Sequence, residues 1–499
     1  MTAYVLEPSP THPDGWCLIG ETGDQITMDA SALLSVIGDS TSLVLVRNLG
    51  DVQALVADFP AAARDRLLDV HIVDRVLGTN LRTHPASQMS RFATADLAMA
   101  DDLARRRILA DHQLARLLID RAQLGYLVDR QAMEEVISAA EQLRQELRQT
   151  LQRSGGKPFN PRSKTQLGTY LPALGAPPGT DLDTALAQLV DDPRPDVRDA
   201  AVLMTQFFRA EAEATKLRNL HHHLTDDDRV HPTVDIAGAI TGRITYKAPA
   251  LPNLAETMRH VVLAPPGQVL ISADLNQIEL RVAAALSQDH RLINDIASGD
   301  FHQRAAESIF RRSPTADDRA VAKQVVYAVL YGGGDDRLAR TAGLDATGAR
   351  TLRDNVLASY PDLARWAEDT MRSDRVVTQF GRLVRHQRGE AYKLVNHVIQ
   401  ATARDLFADM VLAAQSAGLE VWLPLHDEII ISASRPQAAE SQKRLVEIMS
   451  ATLGGVPITA KSRILGARWG ARRDYAPSDS AAAVARHPNI TSCRSAGPV

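Results

Sequence analysis

Three short stretches of the sequence carry residues that could bind metal ions and phosphate groups. In the first, apolar residues 269–271 predict a short buried strand that ends on Asp274. A buried carboxylate is costly unless a cation meets it, so a divalent metal ion is the expected partner of Asp274. The ordinary alternative is that Asp274 only caps the helix predicted directly after it, where Ile278 and Val282 recur at helical spacing.

The second stretch, residues 423–432, predicts a tight β-hairpin with His426, Asp427 and Glu428 at its turn. Asp427 would then lie opposite Asp274 on one sheet. Two aspartates on neighbouring strand ends can hold two metal ions about 3.5–4 Å apart, an arrangement used for in-line displacement at phosphorus. Mg²⁺ suits such a site because it prefers oxygen ligands and keeps positions open for substrate phosphates, with Mn²⁺ as a possible substitute.

The third stretch, residues 317–334, predicts a helix that carries Arg319, Lys323, Tyr327 and Tyr331 at intervals of four residues. Cations at one end of such a stripe and aromatic rings at the other are typical of a helix that binds a nucleoside triphosphate. An ordinary amphipathic helix would have apolar residues along the stripe and its charges elsewhere.

Together these stretches resemble the signature motifs of DNA polymerase family A. Residues 274–281 read Asp-Leu-Asn-Gln-Ile-Glu-Leu-Arg, where the family usually has Tyr and Ser in place of Leu275 and Asn276. The resemblance covers roughly residues 96–475. It implies an α+β right-hand polymerase with an antiparallel palm sheet, mostly helical fingers and thumb, and a small α/β N-terminal domain.

The resemblance also implies a division of the chain into segments. These are a reduced, exonuclease-like domain at 1–95, the start of the palm at 96–130, the thumb at 131–230, the palm with the first aspartate at 231–286, the fingers at 287–385, the palm with the hairpin at 386–475, and a disordered tail at 476–499.

The first 95 residues are predicted to form strands at 3–7, 16–21, 25–29 and 42–48, and a helix at 51–68. Proofreading 3′–5′ exonucleases need a carboxylate cluster that begins with Asp-x-Glu on a strand. Because the first 95 residues contain no Asp-x-Glu, no proofreading activity is expected.

Site roles follow from the resemblance residue by residue. Asp274 and Asp427 would hold two Mg²⁺ ions, with Glu428 supporting them, while Arg319 and Lys323 would bind the triphosphate and Lys323 would donate a proton to pyrophosphate. The other residues implied to bind the deoxynucleoside triphosphate (dNTP) are Gln277, Glu279, His302, Tyr327 and Tyr331. Those implied to bind DNA are Arg243, Asn253, Asn160, Ser163, Asn396, Gln400 and His426.

Two of these roles are specific enough to test. Glu279 and Tyr327 would together exclude a sugar 2′-hydroxyl, and the phenol of Tyr327 would weaken discrimination against dideoxynucleotides. Asn396 and Gln400 would contact the nascent base pair, although two amides four residues apart could also lie on an ordinary helix surface.

The amino-acid composition further restricts the class of protein. Of the 499 residues, 45% are hydrophobic and 23% charged, as in ordinary globular proteins. The net charge of −4 is unusual for a DNA-binding protein, but acidic metal ligands and basic phosphate contacts can cancel in the sum. The sequence lacks a membrane-length apolar run and a signal-like N-terminus, so a cytoplasmic protein is expected. The resemblance further implies a monomer that acts on primer–template DNA.

Three other functions compete with this interpretation. A single-subunit RNA polymerase would share the metal aspartates and the Arg/Lys helix, but would lack the gate formed by Glu279. A catalytically idle DNA-binding protein would have no need of both aspartates. A metal nuclease would need further acidic ligands at useful spacing beside Asp274 and Asp427.

Overall fold

In the computed structural model of the protein, the described residues are 3–9, 15–19, 24–29, 32–33, 43–47, 49, 67–79, 81–154, 160, 162–310, 312–330, 338–339 and 344–471. The chain divides into two compact units. The larger unit comprises Met1–Gly125, Pro232–Pro252 and Pro265–Gly466, and the smaller comprises Tyr126–His231, Asn253–Ala264 and Ala467–Val499. Within the described ranges, no helix has both the length and the apolar character needed to cross a membrane.

The N-terminal part of the larger unit is a five-stranded sheet with order β3-β2-β1-β4-β5. Its strands are β1 (Ala3–Pro8), β2 (Gly15–Ile19), β3 (Gln25–Asp29), β4 (Leu43–Val46) and β5 (Leu67–Asp69). Helices α1 (Val70–Leu77), α2 (Ala86–Met99) and α3 (Asp102–Leu124) follow. Val5, Leu45, Val73 and Ile108 share one buried core, so the sheet packs against these helices within the larger unit. The boundary predicted at residue 95 stays a prediction.

The helix predicted at 51–68 is wrong at its C-terminal end. Leu67 and Leu68 belong to β5, all three residues of which are buried, while residues 51–66 lie outside the described ranges. A short apolar run is compatible with either a strand or a buried helix, and here its pairing with β4 decides for the strand.

The smaller unit is mostly helical, as predicted for residues 131–230. Strands β6 (Tyr126–Leu127) and β7 (Arg229–Val230) pair at its base. Its helices are α4 (Arg130–Ser154), α5 (Lys164–Leu174), α6 (Leu182–Val190) and α7 (Pro195–His222). Proline is tolerated at the first position of α7 because the N–H it lacks would have no partner inside the helix.

The second sheet of the larger unit has four antiparallel strands in the order β13-β14-β10-β17. They are β10 (Gln268–Leu275), β13 (Glu420–Leu425), β14 (Glu428–Ser434) and β17 (Ala460–Gly466). The remaining elements of the larger unit are β8 (Thr233–Asp235), β9 (Thr245–Lys247), α8 (Ile278–Ser287), α9 (His290–Ala297), α10 (Phe301–Phe310), α11 (Ala316–Leu330), α12 (Ala346–Ser359), α13 (Pro361–Arg372), β11 (Arg375–Val377), β12 (Leu383–Arg385), α14 (Tyr392–Ser416), α15 (Ala438–Ile448), β15 (Ala451–Leu453) and β16 (Val456–Ile458).

Candidate active site

Asp274 is the exposed residue near the end of an otherwise buried strand. From Val269 to Leu275, every residue of β10 except Asp274 is buried. The strand extends one residue beyond the predicted end, because the N–H of Leu275 donates to the carbonyl oxygen of Asp427 at 3.0 Å. Helix α8 begins later, after Gln277 in a left-handed conformation (φ 51°). Asp274 therefore does not cap this helix, and the capping alternative is wrong.

The predicted hairpin is formed by β13 and β14, which meet at a two-residue turn of His426 and Asp427. His426 adopts a left-handed conformation with φ 54°. The predicted position of Asp427 is wrong by one residue, since Glu428 is the register partner of Asp274. Asp427 instead comes alongside the end of β10 through its carbonyl contact with Leu275.

Glu428 is buried and its carboxylate accepts a hydrogen bond from the hydroxyl of Ser272. Alternate residues of a strand share a face, so Ser272, two residues before Asp274, points to the same side of the sheet. Sequence reasoning missed Ser272, although this alternation could have identified it. The hydroxyl orients the Glu428 carboxylate along the sheet.

The carboxylates carry more negative charge than their surroundings balance. Although Asp274 is exposed, the surrounding protein displaces part of the water around its carboxylate, and this loss of hydration, with the nearby charges of Asp427 and Glu428, raises the pKa of Asp274 to about 6. Burial also raises the pKa of Asp427 above its ordinary value. Among the described residues, no group of three or more His, Cys, Asp or Glu side chains is arranged to hold a metal ion. The paired aspartates are oxygen donors whose excess charge a divalent cation would compensate, so their chemistry fits Mg²⁺.

A pocket of about 280 Å³ opens beside Asp427. Its lining residues are Arg243, Leu275, Gln277, Ile278, Glu279, Tyr327, Gln400, Ala403, Arg404, Phe407, His426 and Asp427. Within it, Arg243 donates to Glu279 at 2.5 Å. Burial and the charges of Glu279 and Asp427 raise the pKa of Tyr327 to about 12, so its phenol keeps its proton at neutral pH. The structure thus brings seven of the predicted site residues into one cavity.

The predicted triphosphate-binding side chains gather around His302 on α10. Gln277 and His302 are within hydrogen-bond distance, 3.1 Å between their nitrogen atoms. Burial and the charges of Lys323 and Arg319 lower the pKa of His302. Both cations are exposed on α11, and Arg319 donates to Asp300 at 2.9 Å. The helix ends at Leu330 in the described chain, and Tyr331 lies outside the described residues.

Four of the predicted DNA-binding residues do not line the pocket. Asn396 and Gln400 are both half-buried on α14, but only Gln400 lines the cavity. Asn160, Ser163 and Asn253 belong to the smaller unit. Ser163 caps α5 by accepting from the N–H of Gln166, and Asn253 ends a short 3₁₀ helix.

Sequence reasoning missed three pocket residues of α14: Ala403, Arg404 and Phe407. They follow Gln400 by three, four and seven residues, so helical spacing alone could have placed them on its face. The position of the Arg404 side chain is also fixed by hydrogen bonds, since its guanidinium donates to the carboxylates of Asp111 and Asp405. Side chains from the N-terminal helix α3 therefore reach the wall of the pocket.

Comparison with known proteins agrees with this architecture. The profile of DNA polymerase family A matches residues 130–471. DNA polymerase I of Chloroflexus aurantiacus is 28% identical over 454 residues, covering 82% of this chain and 46% of that protein. The DNA polymerase of Mycobacterium phage D29 is 31% identical over 256 residues, covering 49% of this chain and 42% of that protein. The chain thus spans about half the length of the curated relatives it matches.

Among solved structures, the chain is similar to the POL domain of Pol1 from M. smegmatis in complex with DNA primer-template and dNTP. The TM-score is 0.74 at 22% identity, and the match covers 94% of this chain and 95% of that one. The fold is accordingly the α+β fold of a polymerase domain. The chain belongs to DNA polymerase family A.

Proposed function

We propose that the protein adds deoxynucleotides to the 3′ end of a primer under the direction of a template strand, without proofreading. The observation that carries this proposal is the convergence of Asp274 and Asp427 beside a pocket that also holds Glu279, Tyr327 and Gln400. The lining of this pocket combines the acidic group of Asp427 with polar and aromatic groups that could contact a nucleotide. The family relationship and the DNA-bound structural relative support the same activity.

The oxygen atoms of Asp274 and Asp427 would hold two Mg²⁺ ions. Bound there, the metal ions would supply Lewis-acid chemistry, lowering the pKa of the primer hydroxyl and neutralising charge on the leaving pyrophosphate. Glu428, fixed by Ser272, stabilises the position of the strand end. Glu428 would support the site whether or not it binds a metal ion itself.

Arg319, Lys323 and His302 would bind the triphosphate. Their side chains present cationic or hydrogen-bonding groups around one region between α10 and α11. Negative charge grows on the phosphate oxygens as the reaction proceeds, so fixed cations stabilise the transition state more than the ground state. Lys323 would also give its proton to the departing pyrophosphate.

The sugar and the base pair would be checked by the pocket walls. Glu279 and Tyr327 line the same pocket and would together exclude a 2′-hydroxyl, and Gln277 would help to position His302. Tyr331, for which stacking near the template base is expected, lies outside the described residues.

The predicted DNA-binding residues would make two kinds of contact with DNA. Arg243, Gln400, Asn396 and His426 would contact the primer terminus and the nascent pair, where minor-groove acceptors are common to every base pair. Asn160, Ser163 and Asn253 would contact the backbone without reading sequence.

The segments of the chain take their proposed roles from the same family relationship. Residues 231–286 and 386–475 would form the palm, 287–385 the fingers, and 131–230 the thumb, with 96–130 leading into the palm. Residues 1–95 would be a reduced exonuclease-like domain, and 476–499 a tail. The four-stranded sheet with Asp274 and the all-helical run from α4 to α7 support the palm and thumb assignments.

Primer extension tests the proposal. A labelled primer–template would be incubated with Mg²⁺ and dNTPs, using the parent, Asp427→Asn, and Asp369→Asn as a control at an exposed carboxylate on α13. Extension by the parent and the control, with a loss of at least about 10³-fold in Asp427→Asn, is expected for loss of a metal ligand. A parent that extends with ribonucleotides only would indicate an RNA polymerase. A parent inactive with both would contradict the proposal.

A further inference from the structure

Strand β17 places two cations beside the carboxylates of the proposed active site. In its antiparallel pairing with β10, Lys461 lies opposite Asp274 and Arg463 lies opposite Ser272. Directly opposed residues share a face of the sheet, with Cβ atoms about 4.5–5.5 Å apart. Lys461 and Arg463 therefore lie on the face that carries Asp274.

Contacts on the other face of β17 agree with this orientation. Ser462, between the two cations, accepts a hydrogen bond from Gln442 of α15 at 3.0 Å. Because side chains alternate along a strand, Lys461 and Arg463 point away from α15. Their charges reach Asp274, where they oppose the rise in its pKa caused by burial and the neighbouring carboxylates.

Both cations are open to a ligand. They are exposed, and within the described part of the chain neither side chain forms a hydrogen bond or an ion pair with another residue. Charged residues on an edge strand can also hinder edge-to-edge aggregation. That role would need no particular face, whereas here both cations share the face of the catalytic carboxylates.

We propose that Lys461 and Arg463 form a phosphate-binding subsite next to Asp274. The inference rests on the proposed function, in which DNA, dNTP and pyrophosphate all present phosphate oxygens. Strands β14 and β17 flank β10 on opposite sides, so the subsite lies across β10 from the hairpin that carries His426. A planar guanidinium and a compact ammonium suit non-bridging phosphate oxygens. The phosphate belongs either to the primer–template or to the nucleotide.

Lys461→Ala, Arg463→Ala and the double variant test the subsite. Lys443→Ala is the matched control, because Lys443 is an exposed lysine of α15 whose ion pair with Glu447 spans 4.0 Å. Thermal unfolding of each variant would show that it is folded. Binding of primer–template would be measured by fluorescence anisotropy at several salt concentrations, and KM would be measured for dNTP and, in the reverse reaction, for inorganic pyrophosphate.

Two results would support the subsite, and each would identify which molecule supplies the bound phosphate. A DNA phosphate gives a Kd for DNA about tenfold higher in the double variant, with a salt dependence shallower by about one unit for each cation removed. A nucleotide phosphate gives KM values for dNTP and pyrophosphate about tenfold higher, with DNA binding unchanged.

Two other results would overturn it. Values equal to those of Lys443→Ala throughout would mean that the cations bind no phosphate. Half-maximal activity at lower Mg²⁺, with DNA and nucleotide binding unchanged, would mean that they only offset the carboxylate charge. A parent without extension activity would instead contradict the proposed function, while the anisotropy measurement would still report on a DNA phosphate.

Discussion

The side chain of Glu279 forms an ion pair with Arg243. It accepts from Arg243 at 2.5 Å and is only 12% exposed, which fixes its carboxylate at the pocket wall. Glu279→Ala would remove this wall, so incorporation of ribonucleotides is expected to rise at least about tenfold relative to deoxynucleotides. Competition between rNTP and dNTP in single-nucleotide extension measures the ratio. Glu368→Ala, on the exposed face of α13, is the control, and an unchanged ratio in Glu279→Ala would show that the gate is assigned wrongly.

Tyr327 is expected to contact the 3′ position of the nucleotide sugar, whereas Glu279 acts at the 2′ position. With a pKa raised to about 12 by burial and by the charges of Glu279 and Asp427, its phenol remains a hydrogen-bond donor at neutral pH. This hydroxyl can stand in for the 3′-hydroxyl that a dideoxynucleotide does not have, so Tyr327→Phe is expected to discriminate against dideoxynucleotides about tenfold more strongly. Chain termination at fixed ddNTP:dNTP ratios measures this. Equal termination by the variant and the parent would contradict the role of the phenol.

At the scale of elements, a buried charge network joins helix α3, strand β12 with its preceding turn, and helix α14. Arg382 donates to Asp111 at 2.6 Å and to Asp405 at 2.7 Å, and these three side chains are at most 3% exposed. Burial works against the ionised form of Asp111, but the charges of Arg404, Arg382 and Arg107 outweigh it and hold its pKa below the ordinary range.

Removing one carboxylate from this network would leave buried guanidinium groups without a partner. Asp111→Ala is therefore expected to lower the free energy of unfolding by about 3–5 kcal/mol. Urea unfolding at pH 7 measures the loss, with Gln113→Ala on the exposed face of the same helix as the control. A loss below about 1 kcal/mol would mean that the network is not a main support of these elements.

His112 gives α3 a pH-dependent attachment to β5. Its Nε2 accepts from the N–H of Asp69 at 2.7 Å, and its Nδ1 lies 2.7 Å from the carbonyl oxygen of Ile108, so the folded ring is neutral. Burial lowers its pKa to about 4. Below pH 6.5 the unfolded chain binds a proton that the folded chain excludes, and stability is lost as the pH falls towards 4.

His112→Asn should therefore lose less stability than the parent between pH 7 and pH 5, by about 2 kcal/mol. Burial raises the pKa of Asp69 to about 7, so protonation of Asp69 increases the stability of the folded state as the pH falls from 7 to 5. This effect is present in both the parent and His112→Asn, so the difference between the two proteins reports on His112 alone. Urea unfolding at the two pH values provides the comparison. Parallel changes in both proteins would mean that the folded ring is already protonated at pH 5.

Comparison of the predicted elements with the observed ones shows which structural features could be predicted from the sequence. The hairpin of β13 and β14 and the stripe of α11 were predictable because alternation and four-residue spacing are local properties. The register of Asp274 with Glu428 was missed by one residue, since strand pairing depends on the turn geometry of His426. The pairing of Asp111 with Arg382 could not be predicted, because 271 residues separate them and no local pattern indicates which distant residue each one contacts.

At the scale of the whole molecule, the contacts of the N-terminal sheet indicate that it stabilises the larger unit. They do not indicate a second catalytic activity. Ala104 and Ile108 of α3 pack in the core of that sheet, while Asp111 of the same helix joins the network behind the pocket. The sheet and the pocket wall are thus both in contact with helix α3. The expected monomeric state and cytoplasmic location remain predictions.

The absence of proofreading is the prediction that depends on the whole N-terminal region. Glu7 on β1 is held by Arg47 at 2.6 Å, so the carboxylate that the described part of this strand offers is paired with a guanidinium. A carboxylate neutralised in this way is a poor ligand for a catalytic metal ion. A 3′-labelled or mismatched primer incubated with the parent, Mg²⁺ and no dNTP should therefore stay at full length, whereas the same preparation extends it when dNTPs are added. Shortening of the primer by the parent that persists in Asp427→Asn would place a nuclease outside the polymerase site and would contradict this interpretation of residues 1–95.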